Sequence, residues 1–400
     1  MGELRHTSSG VCVPGFRAWG ERGRGYGVAL IVSEQPAEVS LMLTSNRIKA
    51  APLEVSAAHA RGRVRGVIAN SGCANAFTGE QGVRDAEEMC RLAASLLGGS
   101  PEEYIVASTG VIGRRLNMPA VRRLAERCSA RLECSPEASE AAAKAIMTTD
   151  TYPKMCSVQV ELGDGSEVEV GGIAKGAGMI APSLRHATML CFITTNAAVD
   201  RETLREALGE AVRKSFNRVV VDGDMSTNDM VAVLASGIAG NRSTDGFHEA
   251  LNEVALSLAK SIARDGEGAS RYLEVEVKGA RSEAEAEAAA KAVAGSPLVK
   301  TALAGADPNW GRVVAALGCS GAEVVPERLS IFIESSGERV CLVERGRGTE
   351  QAEVLEAARR LMQGREVRIV VELGAGSASA EAYGCDLTCE YVRINSSYTS

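Results

Sequence analysis

The stretch KGAGMIAPSLRHATML, residues 175–190, decides how the rest of the sequence is interpreted. Glycines, a proline and the charged pair Arg185-His186 stand directly before an apolar run that opens at Thr188. Turn formers followed by apolar and β-branched residues predict a turn that leads into a buried strand. The stretch therefore places Thr188 at the opening of the predicted strand, with Lys175 upstream of it among small residues.

Segments on both sides of this stretch show helical and strand patterns. Residues 83–97 carry apolar side chains at helical spacing and stop at Gly98-Gly99, and residues 135–147 open with Ser135-Pro136 as a helix start. Runs rich in β-branched residues and bounded by turn formers predict strands; they are VRGVIAN, YIVAS, MLCFITTNAAV, VVVDGD and LEVEV. The sequence therefore predicts an α/β or α+β fold.

A change of composition near residue 278 predicts a second domain. The segment KGARSEAEAEAAAKAVAGS has the pattern of a helix, LSIFIESSGERVCLV that of a hairpin, and QAEVLEAARRLMQ that of a helix ended by Gly364. We therefore expect a larger domain over residues 1–277 and a smaller α+β domain over residues 278–400.

Composition and charge argue against several classes of protein. The chain has 400 residues, of which 45% are hydrophobic and 24% charged, as in ordinary globular proteins. Its net charge of −7 argues against nucleic acid as a partner, because neutralising phosphates needs an excess of Lys and Arg. It has no apolar run of about 20 residues and no apolar signal core, so we expect a cytoplasmic protein without a membrane partner. Eleven cysteines without CxxC pairs and four dispersed histidines predict no metal site.

Short polar, turn-forming segments adjoin many of the apolar runs. Binding and catalytic residues are commonly carried on loops that a rigid scaffold positions, so these segments predict a polar pocket built by converging loops. The glycines of residues 23–27 lack the spacing of a dinucleotide-binding loop, and the sequence contains neither a P-loop nor a serine elbow. The segments are NSGCANAFTG (70–79), STGVIG (108–113), MTTDTYPK (147–154), KGAGMIAP (175–182), VDGDMSTNDM (221–230), RDGEGAS (264–270) and ADPNWGR (306–312).

Thr188 has the sequence context of an N-terminal nucleophile. A threonine hydroxyl needs an adjacent base, and its own α-amino group can serve once the preceding peptide bond has been cut. The pKa of an α-amino group, about 7.7 to 8.0, leaves it partly neutral near pH 7. The pair Ala187-Thr188 follows a glycine-rich turn and meets this demand. The alternative is a buried threonine that bonds a backbone carbonyl.

The motifs, taken together, resemble those of one family. The sequence resembles the ornithine acetyltransferase family of arginine biosynthesis, also called glutamate N-acetyltransferase or ArgJ, in collinear order from near residue 10 to the last residue. The resemblance implies a layered α/β/β/α sandwich of the N-terminal-nucleophile type, with a catalytic domain followed by a smaller domain whose C-terminal tail returns to the active site. It is carried by TSNRIKAAP (44–52), NSGCANAFTG, STGVIG, TTDT, KGAGMIAP with ATML, DGDMSTND, DGEGA, ADPNWGR and CDLTCEYVRINSSYTS.

The resemblance also implies a reaction. The precursor would cleave itself between Ala187 and Thr188, and the chains 1–187 and 188–400 would assemble as an α2β2 heterotetramer. Thr188 would take the acetyl group from N-acetylornithine, release ornithine and pass the acetyl group to glutamate, giving N-acetylglutamate. This ping-pong acyl transfer needs no cofactor, and acetyl-CoA is left open as an additional donor.

Residues of the family's active site map onto positions of this sequence. The resemblance assigns the oxyanion hole to Thr109 and Gly110. We expect Lys175 to neutralise a substrate carboxylate and Glu267 to face the ammonium of ornithine, because a charge in a partly dry pocket needs an opposite partner. A solvated loop lysine is the alternative for Lys175. The implied substrate contacts are Thr148 (or the neighbouring Thr149), Lys175, Thr188, Glu267, Asn395 and Ser400.

Two features depart from the family pattern. The segment PSLRHAT carries two extra residues, Arg185-His186, directly before the scissile bond, and Cys73 stands where the family often has asparagine. The insertion either bulges outward or slows self-cleavage, and Cys73 is interpreted as a small packing residue. Two other functions stay open: an N-terminal-nucleophile aminopeptidase or amidase, and an unprocessed metabolite-binding homologue.

Overall fold

The computed structural model describes residues 3–181 and 189–397. The structure is mixed α/β with two sheets, so the predicted fold class is confirmed. The chain forms two compact units, Met1–Asn217 with Asp224–Ile262, and Arg218–Gly223 with Ala263–Thr399. None of the helices in the described ranges is long and apolar enough to cross a membrane.

The strands of the described ranges are named in chain order. They are β1 (Arg5–Thr7), β2 (Phe16–Gly23), β3 (Tyr26–Leu43), β4 (Val64–Ser71), β5 (Tyr104–Ser108), β6 (Lys154–Glu161), β7 (Glu167–Lys175), β8 (Leu190–Thr195), β9 (Val219–Val220), β10 (Met230–Ala235), β11 (Tyr272–Ala280), β12 (Ser330–Ser335), β13 (Glu338–Glu344), β14 (Arg347–Gly348), β15 (Glu366–Glu372) and β16 (Ala378–Cys385).

The α-helices of the same ranges are also numbered in chain order. They are α1 (Ala51–His59), α2 (Gly79–Leu97), α3 (Met118–Ser129), α4 (Pro136–Ile146), α5 (Arg201–Lys214), α6 (Phe247–Arg264), α7 (Glu283–Gly295), α8 (Pro297–Ala304), α9 (Trp310–Gly318), α10 (Ala352–Met362) and α11 (Cys389–Ser397).

The first unit is built on a sheet in the order β1-β6-β7-β8-β10-β3-β4-β5, with β2 paired to β3. Strand β3 is 18 residues long and pairs with β2 and β4 through its first part and with β10 through its second. One continuous strand therefore connects the end of the sheet that contains β5 with the part that contains β7 and β8.

Both faces of β3 are buried, as its alternating side chains show. Ala29 and Ile31 belong to an apolar cluster with helix α4, whereas Leu30 and Val32 belong to a cluster with α2 and α3. Because successive side chains of a strand point to opposite faces, one face of this part of β3 packs on α2 and α3, and the other packs on a cluster that α4 shares with β4, β5, β7, β8 and β10. The predicted helix start is also confirmed, since the Ser135 hydroxyl accepts the first-turn N–H of Ala138 at 3.1 Å.

The second unit is built on a sheet in the order β14-β13-β12-β15-β11-β16-β9. Leu273, Val275 and Val277 alternate along β11 and pack into an apolar cluster with the alanines of α7. Small alanine side chains let this helix lie close to the sheet, which explains the composition that the sequence shows here.

The boundary predicted between residues 277 and 278 falls inside β11. This strand is hydrogen-bonded on both sides, to β15 and to β16, and the long continuous part of the second unit therefore begins at Ala263. The change of composition marks helix α7 and not the start of the unit, because a central strand belongs to the sheet that surrounds it.

Candidate active site

A tight turn directly after β5 contains Thr109 and Gly110. The Thr109 N–H donates to the Asn70 carbonyl at 2.9 Å, and the neighbouring Val111 carbonyl accepts from the Ala74 N–H at 3.0 Å. Gly110 has φ +123°, and a Cβ there would lie 2.5 Å from the carbonyl carbon of Gly72. Only glycine fits so close to another backbone. The close packing therefore fixes the backbone of the turn, including the Gly110 N–H.

A buried polar network lies behind the turn. The Ser108 hydroxyl donates to Asn70 Oδ1 at 2.6 Å, and Asn70 Nδ2 donates to the Cys73 carbonyl at 2.9 Å. Asn228 Nδ2 donates to the carbonyls of Ala74 and Ser108, at 2.5 and 2.8 Å. A buried network whose members are hydrogen-bonded to one another rigidifies its surroundings. Asn70 and Asn228 both lie in polar, turn-forming segments, but no local pattern in the sequence distinguishes them from their neighbours.

Cys73 is buried beside the turn and behaves as a packing residue. Its side chain belongs to an apolar cluster with Met89, and its Sγ donates to the Arg114 carbonyl at 3.2 Å. Burial is the main cause that raises the pKa of the Cys73 thiol, so the thiol stays protonated near neutral pH. The structure thus supports the interpretation of Cys73 as a small packing residue.

Lys175 is the last residue of β7 and is 8% exposed. Its Nζ lies 3.5 Å from Thr109 Oγ1. The alternative of a solvated loop lysine is therefore wrong, and the structure brings this ammonium to the turn that contains Thr109 and Gly110.

Asp150 connects Thr148 with Gly176, the residue that follows Lys175. Thr148 is half-buried just after helix α4, and its N–H donates to Asp150 Oδ2 at 3.0 Å. Asp150 Oδ1 accepts from the Gly176 N–H at 2.7 Å, directly after Lys175. The neighbouring Thr149 is half-buried as well, so both threonines stay as substrate-contact predictions.

Glu267 and Asn395 contact each other in the second unit. Asn395 Nδ2, on helix α11, donates to Glu267 Oε2 at 2.7 Å, and Glu267 is 9% exposed. Gly268 has φ +69°, and a Cβ there would lie 2.4 Å from the Tyr391 nitrogen, so the glycine allows the helix to pack on this loop. The Thr388 hydroxyl donates to the Gly268 carbonyl at 2.6 Å and further fixes the start of α11.

Several predicted site residues lie outside the described residues: Ala187, Thr188, Ser400 and the inserted pair Arg185-His186. The residues that flank the segment 182–188 are hydrogen-bonded to the first unit. The Ala181 N–H donates to the Asp224 carbonyl at 2.9 Å, and the Met189 carbonyl accepts from the Met230 N–H at 2.8 Å.

The described site residues therefore fall into two groups. Thr109, Gly110, Lys175 and, through Asp150, Thr148 are connected in the first unit, and Glu267 with Asn395 is connected in the second. Within the described ranges, no three His, Cys, Asp or Glu side chains are placed to hold a metal ion.

Comparisons with known proteins identify the class to which this fold and site belong. The ArgJ family model matches residues 15–400. The chain is 48% identical to the glutamate N-acetyltransferase of Methanothermobacter thermautotrophicus, over 100% of this chain and 99% of that protein. It is also 48% identical to the arginine biosynthesis bifunctional protein ArgJ of Symbiobacterium thermophilum, over 99% of this chain and 100% of that protein.

Solved structures of the same family also match. The Bacillus halodurans ArgJ crystal structure is 44% identical with a TM-score of 0.48, covering 51% of this chain and 97% of that chain. The Mycobacterium tuberculosis ornithine acetyltransferase, solved with ornithine, is 36% identical with a TM-score of 0.42, covering 46% and 100%.

The full-length sequence matches define this protein as an enzyme, an acyltransferase that takes part in acetyl transfer in arginine biosynthesis. Within that class, the chain belongs to the ArgJ family.

Proposed function

We propose that the protein is a glutamate N-acetyltransferase that moves the acetyl group of N-acetylornithine to glutamate through an acetyl-Thr188 intermediate. One observation carries the proposal: Lys175, beside Thr109, is paired with Leu190 across β7 and β8. Thr188 precedes Leu190 by two residues, so covalent connectivity limits the distance between their Cα atoms to about 7 Å. This supports the proposal that the nucleophile acts beside Lys175 and the Thr109 turn.

Maturation would begin with the Thr188 hydroxyl, which attacks the carbonyl carbon of Ala187. An ester to the Thr188 oxygen forms as the peptide C–N bond breaks, and water then hydrolyses the ester. The products are the carboxylate of Ala187 and the free α-amino group of Thr188. The hydrogen bonds of Ala181 and Met189 support this step, because they hold both ends of the segment that must react.

Acetyl transfer would then use the new α-amino group as the base. It accepts the proton of the Thr188 hydroxyl while the oxygen attacks the acetyl carbonyl of N-acetylornithine. The resulting oxyanion would accept hydrogen bonds from the Thr109 hydroxyl and the Gly110 N–H, and one such donor contributes about 2.7 to 4 kcal/mol. Ornithine leaves with the proton, and the amine of glutamate attacks the ester to give N-acetylglutamate. The acetyl group stays on Thr188 between the two steps, so the proposal needs no cofactor.

Each of the two groups of site residues has its own proposed role in substrate recognition. Lys175 would bind the α-carboxylate that N-acetylornithine and glutamate share, beside Thr148. Glu267, held by Asn395, would bind the ammonium of ornithine, and Ser400 stays a predicted substrate contact. The low exposure of Lys175 and Glu267 supports these roles, because a charge that water hardly reaches interacts strongly with an opposite charge.

The first experiment is intact-mass spectrometry of the purified protein. Two fragments with their boundary between Ala187 and Thr188 would support the nucleophile. A single uncut chain would contradict it and would favour the unprocessed metabolite-binding homologue. Mass measurement under native conditions tests the α2β2 heterotetramer on the same sample.

Activity assays then separate the transferase from a hydrolase. We expect ornithine release from N-acetylornithine to depend on glutamate and to yield N-acetylglutamate in equal amount. Release of free acetate at the same rate without glutamate would identify an amidase. Glutamate with acetyl-CoA, in the absence of N-acetylornithine, tests acetyl-CoA as an additional donor.

A further inference from the structure

A buried carboxylate lies between two segments of the proposed site. The side chain of Asp150 is 0% exposed. Its Oδ1 accepts from Lys154 Nζ and from the Gly176 N–H, both at 2.7 Å, and its Oδ2 accepts from the Thr148 N–H at 3.0 Å. One carboxylate therefore fixes groups from the TTDT segment, from β6 and from the end of β7.

Lys175 acts on the same carboxylate through its charge. Burial opposes the ionisation of Asp150, but the charges of Lys175 and Lys154 outweigh burial and lower the pKa of Asp150 to about 2. The interaction is mutual, because a carboxylate that is stabilised by an ammonium stabilises that ammonium in turn. At 8% exposure, the Lys175 ammonium is hardly reached by water, and a nearby negative charge stabilises it.

We propose that Asp150 is a positioning residue for recognition of the substrate α-carboxylate. Its negative charge stabilises the Lys175 ammonium and its Oδ2 holds the backbone of Thr148, and it acts through these residues without touching the substrate. The inference rests on the proposed function, in which Lys175 binds that carboxylate. The competing interpretation is that Asp150 serves only to neutralise the buried Lys154.

The test compares two acetyl donors on the same enzyme sample. N-acetylputrescine has the acetamide and the ammonium of N-acetylornithine but lacks the carboxylate. The ratio of their kcat/KM values measures carboxylate recognition, and it does not depend on the fraction of active enzyme. A general structural defect lowers both values in parallel and leaves the ratio unchanged.

The main variant is Asp150→Asn combined with Lys154→Met. Replacing both partners removes the buried Asp150–Lys154 pair as a whole, which is tolerated far better than removal of one partner, and takes the opposite charge away from Lys175. We expect wild type to prefer N-acetylornithine and the double variant to lose about tenfold of that preference, as expected for a weakened contact to a charged group. The loss should lie mainly in KM for N-acetylornithine. Lys154→Met alone is the matched control and should keep the wild-type preference, since Asp150 still faces Lys175.

Other results would overturn the inference. An unchanged preference in the double variant, or the same loss in Lys154→Met alone, would assign Asp150 to the pair with Lys154. Asp150→Asn alone is the second variant if the double variant does not fold, and failure of both to fold would show that the carboxylate is needed for the fold. A wild-type enzyme that processes but does not use N-acetylornithine would instead contradict the proposed function, and the inference with it.

Discussion

Lys175 and Leu190 are paired at one end of the antiparallel register between β7 and β8. Because these two residues are paired, the end of β7 and the start of β8 lie side by side. Lys175 Nζ also lies 3.5 Å from the Thr109 hydroxyl, in the turn that follows β5. The relationship connects the two ends of the KGAGMIAPSLRHATML stretch with the oxyanion turn that the resemblance predicted.

Thr188→Ala should abolish both self-cleavage and acetyl transfer, because the methyl group offers no oxygen to form either ester. Intact mass and a glutamate-dependent transfer assay check the two losses separately. Thr188→Ser is the matched control; it keeps a hydroxyl and should retain cleavage and measurable transfer. A Thr188→Ala protein that still cut and turned over would remove this residue from the mechanism.

Thr109→Ala should lower kcat by about 10²- to 10³-fold with little change in KM, because an oxyanion donor acts in the transition state. The Thr109 backbone N–H is already bonded to Asn70, so its hydroxyl is the group that the substitution tests. Thr109→Ser should restore most of the activity. A proportional rise in KM without a fall in kcat would mean that Thr109 only binds substrate.

Asn395→Ala should raise KM for N-acetylornithine about tenfold, as expected when a hydrogen bond to a charged group is lost. Asn395 Nδ2 is 2.7 Å from Glu267 Oε2, and its loss leaves the carboxylate less well oriented. Ser396→Ala, one residue further along α11, removes only a bond to the Arg393 carbonyl and is the control. Steady-state kinetics of both variants check the prediction, which fails if they behave alike.

Acid should remove the contribution that Asp150 makes to stability. Its pKa is lowered from 3.8 to about 2 in the folded protein, so the contribution is fully present above about pH 4 and is lost as the pH falls towards 2. A shift of this size corresponds to about 2 kcal/mol. Urea unfolding at pH 6 and at pH 3 measures it.

The control for this stability effect is Asp150→Asn with Lys154→Met, which carries no carboxylate at this position. Its free energy of unfolding should fall less than that of wild type between the two pH values. Equal losses in both proteins would show that other carboxylates account for the acid sensitivity.

The sequence by itself determined the α/β class, the helix start at Ser135-Pro136 and the motifs that indicate acyl transfer. These features depend on local rules: spacing of apolar residues, capping side chains and short turn-forming segments. Thr109, Gly110, Lys175, Glu267 and Asn395 were assigned through the family resemblance, which rests on motifs that can be seen in one segment at a time.

Only the tertiary structure decided which of these segments meet. The contact of Asn395 with Glu267 spans 128 residues, and that of Lys175 with Thr109 spans 66. Asp150 accepts a hydrogen bond from Gly176 and interacts with the charge of Lys175. Strand β11 belongs to the second unit because it pairs with β15 and β16. Long-range pairing and burial arise from the packing of the whole chain, so no local pattern around Asp150 or near residue 278 could reveal them.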